Sequence, residues 1–485
     1  MIHKPNVLVV CASIRSTGKK DEELKAIVEN SNSQSDILDF FNTLSHKESI
    51  AYSNSEIISS IAMIGAKSTG ANVDYFSLRR LFKVTNSLRI DRVDSLGLDD
   101  EMFYIDTTKI EKKSLEHLIK KVKRADSIIL STPVYFGDRS SVADYFLKLL
   151  HKRRLLEKKA FSVISVGAKR NGGQETTNIY ALFDAINMGA YGVGNGPKTS
   201  QYGGTCVGGD RGSVIKDEYG LETSFGTGKR SAQVAKIVSI AKEIQESEFE
   251  KVKIGILISA DNIVKDVQKK VEALLLKIDN PLVDFEIINL IDHKVEWCIA
   301  CNVCPYPQMI KNGSRGKTHL GKTDYACIID NGRDSVEVIR ESLKNIRGLI
   351  VVSVNDDNIT DLVDQYQSFM ERSRFIRRND FEWMNTVFTS LIFKNDGSSR
   401  DRLFGLRSTT SYMRHNTIIT APNRVLTLEG KIISSSEKGL NDFVDAVLRL
   451  SLARKRTTPI EVSYIAGGSG GYADVSLDHT AATRE

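Results

Sequence analysis

The sequence predicts an α/β protein built from two successive doubly wound parallel sheets. Apolar, β-branched runs such as NVLVVCAS (6–13) and DSIILSTPVYF (126–136) alternate with helical stretches such as SLEHLIKKVKRA (114–125). Continuous apolar strands separated by helices are typical of a parallel sheet that is covered on both faces. A length of 485 residues agrees with more than one domain of this kind.

The same order of strands and helices restarts near residue 250. VKIGILISA (252–260) corresponds to NVLVVCAS, and DSVEVIRESLKNIRGLIVVSV (334–354) corresponds to SLEHLIKKVKRADSIILSTPV (114–134). The paired serines Ser13/Ser259 and Ser131/Ser353 are offset by 246 and 222 positions. Unequal offsets indicate a divergent duplication with insertions, since a solenoid would keep one short period.

We therefore predict one domain at 1–248, a second at 249–463 and a flexible tail at 464–485. Residues 30–71 are rich in Ser and Asn and are predicted to be an insertion in the first domain.

Composition and charge exclude several classes of protein. The chain is 41% hydrophobic and 26% charged, with a net charge of +6, which is ordinary for a globular protein. No basic stripe interleaved with aromatic residues is present, so we expect no nucleic-acid partner. No apolar run is long enough to cross a bilayer, so we expect no membrane partner. The short apolar run at the N-terminus is interpreted as a strand and not as a signal peptide, which favours the cytoplasm.

The first strand is followed by a candidate phosphate loop, CASIRSTGKKDEEL. Hydroxyls, an arginine and backbone N–H groups at the start of a helix form a phosphate cradle. The alternative is that these residues simply cap the helix. The candidate phosphate ligands are Ser13, Arg15, Ser16, Thr17 and Gly18.

Two further loops follow the third and fourth strands, STPVYFGDRSS (131–141) and SVGAKRNGGQETT (165–177). The first can lay a flat aromatic ligand against ring faces and backbone N–H groups. All three loops leave carboxyl ends of strands, where doubly wound sheets bind ligands. The candidate ligand-binding residues are Pro133, Val134, Tyr135, Phe136 and Gly137 in one loop and Gly172, Gly173 and Gln174 in the other.

The segments ASIRSTG, ADSIILSTPVYFGDRSS, GGQETT and GTGKRSAQVAKI together resemble the flavodoxin-like NADPH-dependent FMN reductases, and within them the iron–sulfur flavoproteins. The resemblance covers most of residues 5–246 and implies two tandem flavodoxin-like domains. It also implies FMN, with its phosphate on the 13–18 loop and its isoalloxazine ring against 133–137 and 172–175. The lysines and acids of KKDEE depart from the small polar pair that many relatives have after the phosphate loop.

The second domain lacks the residues of these loops. SADNIVKD (259–266) has no Arg, Gly or Thr at the phosphate positions, and SVNDDNITD (353–361) places two acids where an anionic flavin would lie. We therefore expect the second domain to have lost FMN.

The second domain instead contains a cysteine cluster, WCIACNVCPYP (297–307). Three close thiolates and one distant thiolate complete a tetrahedral sulfur set, which suits zinc or an iron–sulfur cluster. The repeated two-residue spacing followed by proline resembles the ferredoxin-type run, and the family resemblance also implies [4Fe–4S]. A zinc site and the absence of any metal remain the alternatives. The candidate ligands are Cys298, Cys301, Cys304 and Cys327, with the last separated from the others by 22 residues.

These features predict an oxidoreductase that moves electrons between NAD(P)H or another donor, FMN and a cluster. The acceptor is expected to be a small molecule or a protein, and a homodimer is the candidate assembly. We name no catalytic acid or base, because the cofactors supply the redox chemistry. The alternatives are an electron carrier without its own substrate, a specialised biosynthetic flavoenzyme, and a non-redox protein with structural zinc.

Overall fold

The structure is a computed structural model of the chain. It describes residues 4–14, 21–44, 52–88, 102–197, 199–259, 267–278, 280–300, 306–307, 325–327, 329, 334–355, 364–378, 382–395, 401–428, 431–432 and 437–457.

The first half is a parallel sheet with helices on both faces, as predicted. Its strands are β1 (Asn6–Cys11), β2 (Asn72–Ser77), β3 (Phe82–Leu88), β4 (Met102–Ile110), β5 (Ser127–Tyr135), β6 (Asp138–Arg139), β7 (Ala160–Gly167), β8 (Tyr191–Gly192) and β9 (Gly204–Val207). The order across the sheet is β2–β1–β5–β7, with β8 and β9 both pairing with β7. β3 and β4 form a separate antiparallel hairpin, and β6 folds back on β5.

The helices of the first half lie between these strands. They are α1 (Asp21–Asn30), α2 (Gln34–Thr43), α3 (Asn54–Lys67), α4 (Lys112–Arg124), α5 (Ser141–Lys152), α6 (Gln174–Asn187) and α7 (Glu218–Ala241). Short apolar strands such as β1, whose residues from Val7 onward are at most 1% exposed, are covered on both faces.

The second half repeats this strand order. Its strands are β10 (Val252–Ser259), β11 (Val283–Asn289), β12 (Tyr306–Pro307), β13 (Tyr325–Ala326), β14 (Gly348–Asn355), β15 (Val387–Asn395), β16 (Ile418–Ile419), β17 (Asn423–Leu428) and β18 (Lys431–Ile432). The order is β11–β10–β14–β15, with β16 and β17 both pairing with β15. The shared order agrees with the tandem arrangement, and a common origin of the halves stays a prediction.

The helices of the second half are α8 (Val267–Leu275), α9 (Val336–Ser342), α10 (Asp364–Arg372), α11 (Arg374–Arg378), α12 (Asp401–Met413) and α13 (Glu437–Lys455). Five short 3-10 helices also occur among the described residues: Leu78–Leu81, Ser213–Lys216, Glu246–Glu248, Leu276–Ile278 and Leu290–Asp292.

The two half-sheets join edge to edge through β8 and β16. Gly192 pairs with Ile419 in an antiparallel bridge, while each of these strands is parallel to the rest of its own half. The strands of the two halves therefore run in opposite directions. The carboxyl ends of the first-half strands point one way, and those of the second-half strands point the other way.

A hydrophobic core crosses the predicted boundary between 248 and 249. Val234 and Val238 of α7 belong to the same buried cluster as Val444 and Val447 of α13. The boundary itself lies between the 3-10 helix Glu246–Glu248 and β10, so it coincides with a connection. Independent folding of the two domains stays a prediction.

The segment 30–71, predicted to be an insertion, contributes to the core of the first half. It contains α3, in which twelve of the fourteen residues, Ser55 to Ala66, are buried. A β-carbon on Gly228 of α7 would lie 1.9 Å from the carbonyl oxygen of Ala62, so the two helices cross in close backbone contact. Whether the segment is an insertion stays a prediction.

No helix in the described part of the chain is both long enough and apolar enough to cross a membrane.

Candidate functional site

The carboxyl ends of β1 and β5 are tied together by Ser140. Its hydroxyl donates to the carbonyl of Ala12 at 3.0 Å and accepts from the amide of Ala143, so it also caps α5. The amide of Ser140 donates to the hydroxyl of Thr132 at 3.1 Å, and the amide of Ala12 donates to the carbonyl of Ser131. The loop after β5 is therefore fixed beside the end of β1.

Ser13 is the one predicted phosphate ligand that the structure describes. It is buried, directly after the end of β1. Arg15, Ser16, Thr17 and Gly18 lie outside the described residues.

Asp21 is a residue of this region that the sequence did not single out. It begins α1, and its carboxylate accepts from the amide of Ser77 at 3.2 Å and from the guanidinium of Arg80 at 3.0 Å. Burial raises the pKa of Asp21, although Arg80 and the Ser77 amide oppose this effect. Asp21 thereby fixes the start of α1 to the end of β2. In the chain it follows the candidate phosphate loop.

The loops after β5 and β7 are in direct backbone contact. Gly137 and Gly173 have φ angles of +78° and +102°, and a β-carbon on Gly173 would lie 2.4 Å from the Cα of Gly137. The hydroxyl of Thr176 donates to the carbonyl of Gly137 at 2.8 Å. The structure thus brings together the predicted flavin residues 133–137 and 172–174.

Two aromatic rings project from this junction. Phe136 is fully exposed and has a φ of +52°, a conformation that is uncommon for a bulky residue, and Tyr135 is about half exposed (53%). Strained backbone of this kind concentrates at functional sites. Gly173 is the N-cap of α6 and has no side chain to cap it, so the helix N-terminus faces the loop junction.

Gln174 is placed at this junction, with its side chain directed inward. It is only 3% exposed, and its amide donates to the carbonyls of Lys169 at 2.7 Å and Cys206 at 3.1 Å. The hydroxyl of Ser165 donates to the carbonyl of Gln174 at 3.0 Å. The side chain of Gln174 therefore braces the loop, which leaves backbone groups for a ligand.

These observations fit FMN. Two loops in backbone contact after β5 and β7, two exposed rings and an uncapped helix N-terminus suit a flat ring system with hydrogen-bonding edges.

Of the four predicted cluster ligands, the structure describes two. Cys298 is partly buried after the carboxyl end of β11, and Cys327 is 4% exposed just before α9. The two do not form a disulfide with each other. Cys301 and Cys304 lie outside the described residues, and the described residues alone hold no group of three or more metal-ligating side chains.

The segment that carries Cys298 meets the side chain of Arg372. Arg372 donates to the carbonyl of Glu296, two residues before Cys298, at 2.9 Å. Cys327 is fixed on α9, because its amide donates to the carboxylate of Glu337 at 3.1 Å. Cysteine side chains of this kind suit a thiolate-bound metal centre.

The other two cysteines are buried and chemically inert. Cys11 and Cys206 are fully buried, and burial raises the pKa of each thiol to about 12. Cys11 is therefore a small residue of the core. Neither thiol is a nucleophile at neutral pH.

An open pocket of about 470 Å³ lies against Trp297, the residue that precedes Cys298 in the chain. It is lined by residues between 291 and 297, including His293, Lys294 and Trp297, and by Gln365 and Ser368 of α10. The ring of Trp297 is 73% exposed.

Comparison with known proteins identifies the family of the chain. A family model described as NADPH-dependent FMN reductase matches residues 5–196. The iron-sulfur flavoprotein MJ0731 of Methanocaldococcus jannaschii is 31% identical over 182 residues, which are 35% of this chain and 84% of that protein. The chain belongs to the iron–sulfur flavoprotein family.

The matches to other relatives are shorter. The iron-sulfur flavoprotein MJ1083 of the same organism is 40% identical over 129 residues, which are 26% of this chain and 66% of that protein. The iron-sulfur flavoprotein of Methanosarcina thermophila is 30% identical over 129 residues, which are 26% of this chain and 63% of that protein. The chain thus matches slightly less than two thirds of the length of these two relatives.

One solved structure with some likeness is a flavodoxin, WrbA-like protein from Agrobacterium tumefaciens. It is 15% identical, the match covers 48% of this chain and 98% of that chain, and the TM-score is 0.27. Another is the flavoenzyme FerB from Paracoccus denitrificans, at 12% identity, 42% and 98% coverage and a TM-score of 0.27. TM-scores of this size decide neither fold nor function.

Proposed function

We propose that this chain is an FMN-dependent oxidoreductase that takes electrons from NAD(P)H or another donor and delivers them, through a [4Fe–4S] cluster, to a small-molecule or protein acceptor. The observation that carries the proposal is the junction of the two glycine loops beside two exposed rings, in a chain whose sequence also clusters three cysteines at 298–304. FMN supplies the chemistry, because it accepts two electrons and can release them singly.

The residues of the chain bind and orient the flavin. Backbone groups of 133–137 and 172–174 would face the ring, and the rings of Tyr135 and Phe136 are available to stack on it. Ser13 together with Arg15, Ser16, Thr17 and Gly18 would hold the phosphate. Cys298, Cys301, Cys304 and Cys327 would hold the cluster.

The positions of the two sites favour transfer between chains. The flavin loops follow β1, β5 and β7, whereas the cysteine segment follows β11. The carboxyl end of β11 points in the opposite direction to the carboxyl ends of β1, β5 and β7. β11 and β7 are six strand spacings apart, which corresponds to roughly 29 Å at about 4.8 Å per spacing. We therefore propose a homodimer in which the flavin of one copy faces the cysteine centre of the other.

A cytoplasmic location agrees with the clustered cysteines of the sequence, because thiols and clusters persist in a reducing compartment. Two alternatives remain on the same site. An electron carrier would hold both cofactors without oxidising a nicotinamide, and a specialised biosynthetic flavoenzyme would reduce one organic substrate.

The test is an anaerobic purification followed by an absorption spectrum and by assays for FMN, iron, sulfide and zinc on one sample. We expect one FMN per chain, and iron and sulfide in the amounts of one [4Fe–4S] cluster per chain. Addition of NADH or NADPH should bleach the flavin bands. Failure to bind FMN after reconstitution would disprove the proposal. Zinc without iron would leave a flavin reductase with a structural metal.

The dimer is tested by mixing two inactive variants, G173A in the flavin loop and C298S in the cysteine centre. Recovery of acceptor reduction in the mixture is expected if sites from different chains cooperate. A monomeric chain in sedimentation experiments, active by itself, would contradict the dimer and leave the cofactor assignment standing.

A further inference from the structure

The open pocket of the second half lies between α10 and the segment that follows β11. Its volume is about 470 Å³, and it is lined by residues between 291 and 297 on one side and by Gln365 and Ser368 on the other. The segment leaves the carboxyl end of β11, and open parallel sheets bind ligands at that edge. The volume is in the range of small-molecule sites. The pocket is therefore a candidate ligand site apart from the flavin loops of the first half.

Hydrogen bonds fix the backbone of one wall of this pocket. The carbonyl of Lys294 accepts from the amide of Ser335 at 2.8 Å. The amide of Glu296 donates to the carboxylate of Asp334 at 2.9 Å, and the carbonyl of Glu296 accepts from Arg372 at 2.9 Å. Asp334 and Arg372 are themselves paired at 2.7 Å. A ligand therefore meets a wall that is already ordered, which lowers the entropy cost of binding.

The opposite wall is one face of α10. Gln365, Ser368 and Arg372 follow one another at spacings of three and four residues, so they lie on the same side of this helix. Arg372 reaches the 294–297 segment, and Gln365 and Ser368 line the pocket on the same side. Ser368 is 4% exposed, and its hydroxyl makes no hydrogen bond to another described residue. This wall therefore offers a hydroxyl and an amide as donors to a ligand.

Trp297 adds an exposed aromatic ring to the first wall. Its side chain is 73% exposed, whereas Trp383, the other tryptophan of the chain, is 2% exposed. Tryptophan side chains are on average largely buried. An indole ring that lines a pocket binds a flat ring system by stacking and buries much of its own apolar area in doing so. The exposed ring thus points to a flat aromatic ligand.

The charges around the pocket favour an uncharged ligand. Lys294 is the one lysine or arginine among the described lining residues, and its ammonium lies 2.6 Å from the carboxylate of Glu296. Asp292, which also lines the pocket, is exposed and adds a negative charge. A phosphate or a carboxylate would therefore meet no uncompensated lysine or arginine among these residues. A carbonyl oxygen would meet the donors of Gln365 and Ser368.

We propose that this pocket binds an uncharged, planar aromatic molecule that carries a carbonyl oxygen. The ring of the ligand stacks on Trp297, and its carbonyl oxygen accepts hydrogen bonds from Ser368 and Gln365. The proposal goes beyond the proposed function and does not depend on it, because neither the flavin nor a metal centre takes part in the binding.

The test uses acridone as the probe, because it is uncharged, planar and fluorescent, carries one carbonyl oxygen and does not alkylate thiols. Fluorescence anisotropy of acridone is titrated with the full chain in the presence of excess FMN, so that the flavin site is not open to the probe. The variants are W297A and S368A. V338A is the matched control, because Val338 is also exposed (60%) in the second half but does not line the pocket.

We expect saturable binding of acridone to the unaltered chain. W297A should raise the dissociation constant about tenfold or more, because stacking and the buried area of the indole ring are both lost. S368A should raise it roughly 2- to 10-fold through the loss of one hydrogen bond. V338A should keep the original value. The melting temperature of W297A should match that of the unaltered chain, because an exposed side chain contributes little to the fold.

Equal affinity in W297A and the unaltered chain, or binding that does not saturate, would overturn the proposal. Acridone-N-acetate, which adds a carboxylate, should bind more weakly than acridone, and tighter binding of this anion would overturn the assignment of an uncharged ligand. A chain that fails to bind FMN but binds acridone through Trp297 would contradict the proposed function and leave this site standing. A chain that binds FMN but not acridone would do the reverse.

Discussion

Gly173 meets Gly137 so closely that a β-carbon on Gly173 would lie 2.4 Å from the Cα of Gly137. The two residues belong to loops that leave different strands, β5 and β7, and both have positive φ angles. The contact fixes the distance between the two loops, and the flavin is proposed to lie against both of them.

We expect G173A to raise the dissociation constant for FMN at least tenfold and to lower the free energy of unfolding by about 1–3 kcal/mol. The new methyl group must push the 133–137 loop away. FMN fluorescence titration and urea unfolding measure the two effects. G70A is the matched control, because Gly70 also has a positive φ (+84°) but has nothing within 4 Å of its β-carbon position. Equal FMN affinity in G173A and the unaltered chain would show that the loop spacing does not matter to the flavin.

Phe136 is expected to contribute to flavin binding and hardly to folding. Its ring is fully exposed, so F136A should change the free energy of unfolding by no more than about 0.5 kcal/mol. Loss of one stacking contact is worth about 0.5–1.5 kcal/mol, so FMN affinity should fall roughly 2- to 12-fold. L276A, at an 81% exposed leucine of the second half, is the control and should leave FMN affinity unchanged. An F136A variant that binds FMN normally would remove Phe136 from the site.

The central strands and the loops that follow them could be predicted from the sequence, because their signal is local. β1, β5, β7, β10 and β14 are continuous apolar runs, and each has a glycine-, serine- or proline-containing segment near its end. The meeting of 133–137 with 172–174 follows from the rule that ligands bind at carboxyl ends of parallel strands.

Features that depend on distant contacts could not be predicted in this way. α3 lies in a segment rich in Ser and Asn, and its burial depends on a close helix crossing whose partner Gly228 is more than 150 positions away. The bridge between Gly192 and Ile419 joins two strands of two residues each, too short for any periodicity. The pairing of Arg372 with Asp334 leaves no mark in the sequence, because charged residues are usually exposed.

Arg230 and Arg372 are both buried arginines, but we expect their removal to destabilise the fold by very different amounts. Arg230 is 1% exposed and donates to the carbonyl of Asn416 at 2.7 Å, with no carboxylate partner among the described residues. Burial, aided by Arg454, lowers the pKa of Arg230 to about 9. Its charge is therefore poorly compensated.

R230M should lower the free energy of unfolding by no more than about 1 kcal/mol, because the loss of one hydrogen bond is offset by relief of the buried charge. R372M should lower it by about 3–5 kcal/mol, because Asp334 is left buried without its partner. Urea unfolding of the two variants measures the difference. A loss in R230M as large as that in R372M would mean that the charge of Arg230 is compensated in the folded chain.

His415 should make the second half sensitive to acid. It is 4% exposed, its Nε2 lies 3.1 Å from the hydroxyl of Ser373, and Trp383 and Tyr412 pack against its ring. Burial, with smaller contributions from Arg377 and Arg414, lowers the pKa of His415 from 6.5 to about 3. The folded chain therefore excludes a proton that the unfolded chain binds below pH 6.5.

The contribution of His415 to stability is complete above about pH 6.5 and is lost as the pH falls towards about 3, by about 1.4 kcal/mol per pH unit. H415F keeps the aromatic packing and removes the titrating group, and Ser373 still donates to the carbonyl of Met370. Urea unfolding at pH 7, 6, 5 and 4 should therefore show a flatter pH dependence in H415F than in the unaltered chain. H151Q, at an exposed histidine of α5, should keep the original dependence. If the slopes of H415F and the unaltered chain coincide, His415 takes up its proton in the folded state, and the acid sensitivity arises from other groups.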